Sequence, residues 1–344
     1  MDLTVLRMKV FNVVSPNDNE KVLAPDRVDE FVGEAPRMLP HAKLRELSRL
    51  RSWRNTLQII FEWSGIALAI YLCEQHWHPL LYIAAIMWIG GRQHGLGILM
   101  HDAAHSHLYK NKRMNEIVGE LFLAWPLLLT LCGYRRNHMA HHRHLNTEQD
   151  PEWLTTRRPE FVFPKSRLAM AWLIVHDLIG LRIAYLLFRF QRYGGKKEDT
   201  AKFRPYARRL TYLLIAVAFV IWPAAFRLYL IYWLVPGLTW VALITHLRVI
   251  GEHCALPQTH FLNMTRTTVG NWFDRLFIAP NNINYHLDHH LYPSVPWYNL
   301  PELHQILMEH PTFGRHAHVT YGYWRLIGEC LDKKQDSEPE RISG

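Results

Sequence analysis

Three short histidine clusters restrict what this chain can fold into more than any other feature of it. Along the 344 residues they are His101-Asp102-Ala103-Ala104-His105, His138-Met139-Ala140-His141-His142 and His286-Leu287-Asp288-His289-His290. Side chains three and four residues apart share one face of a helix, so each cluster aims two or three imidazoles at one point. Each is predicted to be helical, and the fold must gather segments that are remote in sequence. Imidazole suits iron, copper, zinc and nickel, and eight such nitrogens exceed the four donors of a structural zinc site or the three of a catalytic one. Two metals are the economical reading. Iron is favoured, because a histidine-rich pair of metals in a membrane enzyme is equipped for oxygen chemistry, whereas zinc has no redox chemistry and copper usually recruits thiolate or methionine as well.

The membrane enters through the distribution of apolar residues. Leu57 to Cys73 carries one acid, Glu62, and Pro79 to Met100 follows after a short Glu74–His78 turn. At about 1.5 Å per residue the first nearly crosses a hydrocarbon core of about 30 Å. Arg92, Gln93 and His94 make the second half of that second span too polar for lipid, so it is expected to face protein, with Arg92 and His94 lining a substrate passage or pairing with Glu62. Leu210 to Phe226 and Leu228 to Thr245 read as a second hairpin broken at Arg227, with Pro223 and Pro236 as kinks inside it. Two weaker stretches, Leu121 to Leu131 and Leu168 to Phe190, are expected to lie in the interface. Basic residues from Arg37 to Arg54 and from Arg189 to Arg209 precede the first and third spans, which places both flanks and both termini in the cytoplasm. No apolar run follows a basic start before Arg51, so no cleaved leader is expected.

The expected fold is therefore an all-α integral membrane protein, with about four transmembrane helices in two hairpins, interfacial helices, and a cytoplasmic helical cap holding the metals. It divides into a cytoplasmic N-terminal segment (1–56), a first hairpin (57–100), a cytoplasmic or interfacial part with the first two clusters (101–209), a second hairpin (210–247) and a cytoplasmic C-terminal part with the third (248–344). All three clusters fall on one side. The surplus of 39 Lys and Arg over 30 Asp and Glu lies beside apolar runs, which suits a membrane surface and argues against nucleic acid. The four cysteines match no metal or haem-attachment spacing, and no glycine-rich phosphate loop occurs.

In this order the clusters, with the Asn284-Tyr285 lead-in to the third, resemble the integral-membrane fatty acid desaturase and hydroxylase superfamily over about Arg92 to Pro301. The resemblance implies a non-haem di-iron centre that uses O2 and two external electrons to attack an unactivated acyl C–H bond, leaving a double bond or, in hydroxylating relatives, a hydroxyl. It adds His253, in Arg248-x-x-x-Glu252-His253, as a ninth ligand to His101, His105, His138, His141, His142, His286, His289 and His290. His246 is the rival for that place. Asp102, Glu252 and Asp288, each beside a ligand, are candidates to accept the other imidazole N–H. Three residues separate the first two histidines where the acyl-CoA branch usually has four, which leans toward acyl-lipid, acyl-carrier-protein or hydroxylating relatives. No cytochrome b5, flavin or iron–sulfur signature is present, so an external donor of ferredoxin or cytochrome b5 type is implied, with Arg135, Arg136 and Arg143 as its landing face or as a phospholipid contact. The expected setting is a bacterial inner membrane or the endoplasmic reticulum. The alternatives are a hydroxylase of a lipid, carotenoid or alkane with the same site and, more distantly, a histidine-lined metal transporter, which would place its ligands at mid-bilayer.

Overall fold

The computed structural model describes residues 38–182 and 203–332. The basic run from Arg189 to Lys202, the end of the Leu168–Phe190 stretch and both chain ends lie outside them.

Two long antiparallel helices, α2 (Ser52–Gln75) and α3 (Pro79–Ala104), follow a short α1 (His41–Leu47). Pro79 opens α3 where no intrahelical N–H is needed, and the His78 ring accepts from the Leu80 N–H. Ile59, Ile66 and Cys73 of α2 pack with Ala85, Ile89 and Leu96 of α3, while Leu57, Ile60, Leu68 and Tyr71 point outward. The C-terminal half of α3 is buried almost throughout, as its polar residues require. Arg92 takes the pairing alternative: its Nη1 lies 3.0 Å from Glu62 Oε2, both residues being fully enclosed. Glu62 Oε1 also accepts from Asn281 Nδ2 at 3.1 Å and Gln58 Nε2 at 2.9 Å. A Cβ on Gly95 would stand 2.4 Å from that oxygen, so only glycine admits the carboxylate there.

After α4 (Lys112–Val118) the chain makes a π-helical turn (Gly119–Ala124), then enters α5 (Leu131–Arg143), capped by the Thr130 hydroxyl on the Gly133 N–H. Helix α6 (Arg167–Leu178) is capped by Ser166; Leu168, Trp172 and Val175 are exposed on it, and Met170, Leu173 and Asp177 buried. Helix α7 (Phe203–Ile221) ends at Trp222, and α8 (Pro223–Tyr229) continues through a π turn (Leu230–Leu234) and Val235–Leu238 into α9 (Trp240–His253). The break expected at Arg227 is thus at Trp222, and Pro223 is no internal kink. Pro223 drives its predecessor out of the helical region (φ −126°, ψ 82°), whereas Arg227 stays helical and pairs with Glu74 in the last turn of α2.

Among the described residues, two helical stretches, Ser52–Gln75 and Pro223–His253, are long and apolar enough to cross a membrane, and only 22% and 28% of their apolar windows are buried in the protein. The rest of that surface is suited to an apolar surrounding. The C-terminal part adds α10 (His286–Leu291), α11 (Leu300–Glu309) and α12 (Tyr323–Glu329). A small parallel pairing of β1 (Thr267–Thr268) with β2 (Val319–Thr320) ties them together.

Candidate metal centre

Four helix ends converge. His101 and His105 end α3, His253 is the last residue of α9, and α5 and α10 bring His138, His141, His142 and His286, His289, His290. The nine rings form two neighbouring sets. In one, ligand atoms of His101, His105, His138, His142 and His289 all lie within 4.8 Å of one another; in the other, those of His141, His286 and His290 do, with His253 Nε2 3.1 Å from His286 Nε2.

Helix geometry produces this division. At about 100° per residue, the outer histidines of H-x-x-H-H are nearly in line and the middle one is turned well aside. The pair His138 and His142 therefore joins the first set and His141 the second; on α10 the pair His286 and His290 joins the second and His289 the first.

The nitrogens face one another: His105–His138 at 2.9 Å, His138–His142 and His142–His289 at 3.0 Å, His286–His290 at 3.0 Å and His141–His290 at 3.2 Å, all between Nε2 atoms. Two imidazole nitrogens about 2.1 Å from one ion and at right angles to each other stand about 3 Å apart, so the spacing fits shared ions. Burial first, then repulsion from neighbouring rings, holds His138, His286, His289 and His290 well below the ordinary histidine range, and His142 is lowered to about 3 by burial and His141. Rings so held are neutral near neutral pH, with lone pairs available. His141 is the exception. Burial opposes its charge, yet the Asp150 carboxylate, 2.9 Å from Nδ1, raises it, and the Nδ1–H donated to Asp150 leaves Nε2 as the donor atom aimed at the cluster.

The acids differ from expectation in part. Asp102 Oδ1 is 3.3 Å from His101 Nδ1, and its Oδ2 accepts from the Trp297 N–H at 3.1 Å. Glu252 accepts from Arg248 Nε at 2.6 Å and stands 3.7 Å from His286 Nδ1. Asp288 serves no cluster histidine: it is bonded to His304 Nδ1 at 2.9 Å and to the Thr267 hydroxyl, because its side chain leaves α10 on the face turned to α11 and β1. His246 is drawn away by Asp177, 2.7 Å from its Nδ1, while His253 stands within the cluster.

Sequence reading assigned no role to Asp150 or Glu152. Glu152 Oε2 lies 3.7 Å from His141 Nε2 and 3.6 Å from His253 Nε2, and completes a third group of potential ligands with them. The signal available was two acids spaced i, i+2 just past the second cluster. Tyr134 stacks on His138 at 5.5 Å, and with Met100 lines a cavity of about 330 Å³ between α3 and the stretch from Tyr229 to Arg248, with Gln93 and Gly237 also in its wall.

Comparison with known proteins gives a match to the fatty acid desaturase family model over residues 75–324. Among similar proteins, dihydrorhizobitoxine desaturase of Bradyrhizobium elkanii is 30% identical over 79% of this chain and 81% of its own length. A chloroplastic omega-6 fatty acid desaturase of Glycine max is 24% identical (86% and 71%), and an endoplasmic-reticulum omega-3 fatty acid desaturase of Nicotiana tabacum is 26% identical (79% and 78%).

Proposed function

The chain belongs to the fatty acid desaturase family and is an oxidoreductase of that type, and from that premise we propose that it desaturates an acyl chain with O2 at two non-haem irons held by His101, His105, His138, His142 and His289 on one side and His141, His253, His286 and His290 on the other. The observation that carries this reading is the gathering of nine imidazoles into two neighbouring sets, with Nε2 atoms about 3 Å apart within them. Bound iron would supply what these side chains lack, a redox centre that couples removal of two hydrogens from adjacent methylenes to reduction of O2 to two waters, with two electrons and two protons from outside.

The chain's own residues do the rest. Asp150 fixes the His141 tautomer, Asp102 orients His101, and Trp297 holds Asp102 through its backbone N–H. The apolar walls at Met100, Leu127 and Val241 exclude water from the methylene to be attacked and fix which carbon meets the metals. Electrons come from a ferredoxin or cytochrome b5 type of donor at the basic face of α5, and both termini lie in the cytoplasm.

Asp150→Asn is expected to cost about 10–100-fold in activity or metal affinity, the usual effect of losing a histidine's outer partner. Iron titration of the purified variant measures it. The function is tested by mass spectrometry of lipids from cells expressing the chain or its His289→Ala variant. Acyl chains lighter by two hydrogens only with the intact chain support desaturation; chains heavier by one oxygen move the reading to hydroxylation. The relative named for dihydrorhizobitoxine favours a second reading, a substrate other than a fatty acid, and unchanged acyl lipids would select it.

A further inference from the structure

The two sets of histidines are unequal: the one that contains His101 has five imidazoles, and the one that contains His141 has four. All nine donors are uncharged when they bind. Two divalent irons would therefore bring four positive charges into the site, against which only nearby carboxylates can act.

Three carboxylates meet the rings at Nδ1. Asp102 stands 3.3 Å from that atom of His101 and Asp150 2.9 Å from that of His141, while Glu252, held by Arg248, is 3.7 Å from that of His286. Such positions orient a ring. Glu152 is placed differently. Its Oε2 lies 3.7 Å from Nε2 of His141 and 3.6 Å from Nε2 of His253, the nitrogens by which these rings face His290 and His286. Two donors each about 2.1 Å from one ion and about 120° apart stand about 3.6 Å from each other, so one ion can be shared by this oxygen and both rings. The His141–His290 and His253–His286 separations, 3.2 and 3.1 Å, fit angles near 90° about the same ion.

The chain delivers this carboxylate with little freedom. Asp150 Oδ1 accepts from the Glu152 N–H at 2.8 Å and Oδ2 from the Asn146 N–H at 3.0 Å, so the side chain that fixes His141 also folds the turn that carries Glu152. Pro151 stiffens the step between the two acids, and the Glu152 carbonyl accepts from the Thr156 N–H at 3.0 Å. The Glu152 side chain is 36% exposed where those of His141 and His253 are 1% and 3%, which puts it on the open side of the second set.

We propose that Glu152 is a tenth ligand: its Oε2 bonds the iron held by His141, His253, His286 and His290, which gives each metal five donors and only one of them a negatively charged one. The proposal rests on the di-iron desaturase reading and deepens it. The two irons are then chemically distinct, one bound by imidazole alone and the other by imidazoles and a hard oxygen.

The test is anaerobic titration of the purified full-length protein in detergent with ferrous iron-57, followed by Mössbauer spectroscopy. The intact chain is expected to bind two irons with two resolved doublets of equal area. Glu152→Gln, which keeps the shape and removes the charge, is expected to hold one iron as before and the other more than about tenfold more weakly, with only one doublet shifted. Unfolding of the metal-free variant at the temperature of the metal-free parent shows that the loss is not one of fold. Ligation also needs reach, so Glu152→Asp, which withdraws the carboxylate by one methylene, is expected to disturb the same doublet. An aspartate variant with the parent's affinity and spectrum beside an impaired glutamine variant would reduce Glu152 to a nearby charge and overturn the proposal. Unchanged affinity and unmoved doublets in Glu152→Gln would remove Glu152 from the ligands and leave the di-iron reading intact. An intact chain that takes up no second iron removes the di-iron reading, and the tenth ligand with it.

Discussion

Alanine at His142 is expected to abolish turnover and to lower the iron content of the purified protein by at least one equivalent. His142 is the sharpest choice because its Nε2 stands 3.0 Å from Nε2 of both His138 and His289, and its ring stacks on His290 of the other set at 4.3 Å. Removing it opens the first set and takes away the wall between the two. The loss must exceed the roughly 10–100-fold that an outer partner such as Asp150 contributes. Metal analysis alongside product assay checks it, and a variant that keeps two irons and turns over normally would remove His142 from the ligand set.

The second large effect is on stability. Glu62→Leu is expected to destabilise the protein by about 3–5 kcal/mol, because it leaves the Arg92 guanidinium enclosed without its counter-charge. Gln58 loses its acceptor at the same time, and Asn281 keeps only the Gly95 carbonyl. The double variant Glu62→Leu, Arg92→Leu is expected to recover much of this, since no buried charge remains. Thermal unfolding of the three proteins in one detergent decides; a double variant no more stable than the single would place the effect in packing around Gly95 instead. The single variant also loosens the Asn281–Asn282 turn that leads into α10, so its iron content should fall with its stability.

The candidate site was legible because histidine spacing is a helical signal that needs no tertiary context: three clusters at i, i+3 or i+4 identify their own faces. The division into two sets was legible in principle, since the same rotation separates His141 from His142 and His289 from His290. What spacing cannot carry is which acid a ring meets. Asp102 and Asp288 look equivalent beside their histidines, yet one reaches His101 and the other turns to His304, and Asp150, nine residues from His141, forms the firmest of these contacts. The fold shows the same limit. The α2–α3 hairpin followed from its apolar runs, while the break at Trp222 was misplaced because charge was weighed above proline: Arg227 found Glu74, and a paired arginine need not end a helix.

The α10 histidines are dealt to both sets, and that has a consequence for how the protein is made. Neither set is complete until residues 286–290 have left the ribosome, by which point both helical hairpins and the first two clusters have long been synthesised. Trp297 and Asn299, later still, bond back to Asn55 and to the Leu47 carbonyl, closing the N-terminal segment over the site. Under the proposed di-iron reading, metal loading is thus a final act on a nearly finished chain, and a truncation that keeps both hairpins but stops short of His286 leaves both sets without histidines that they need.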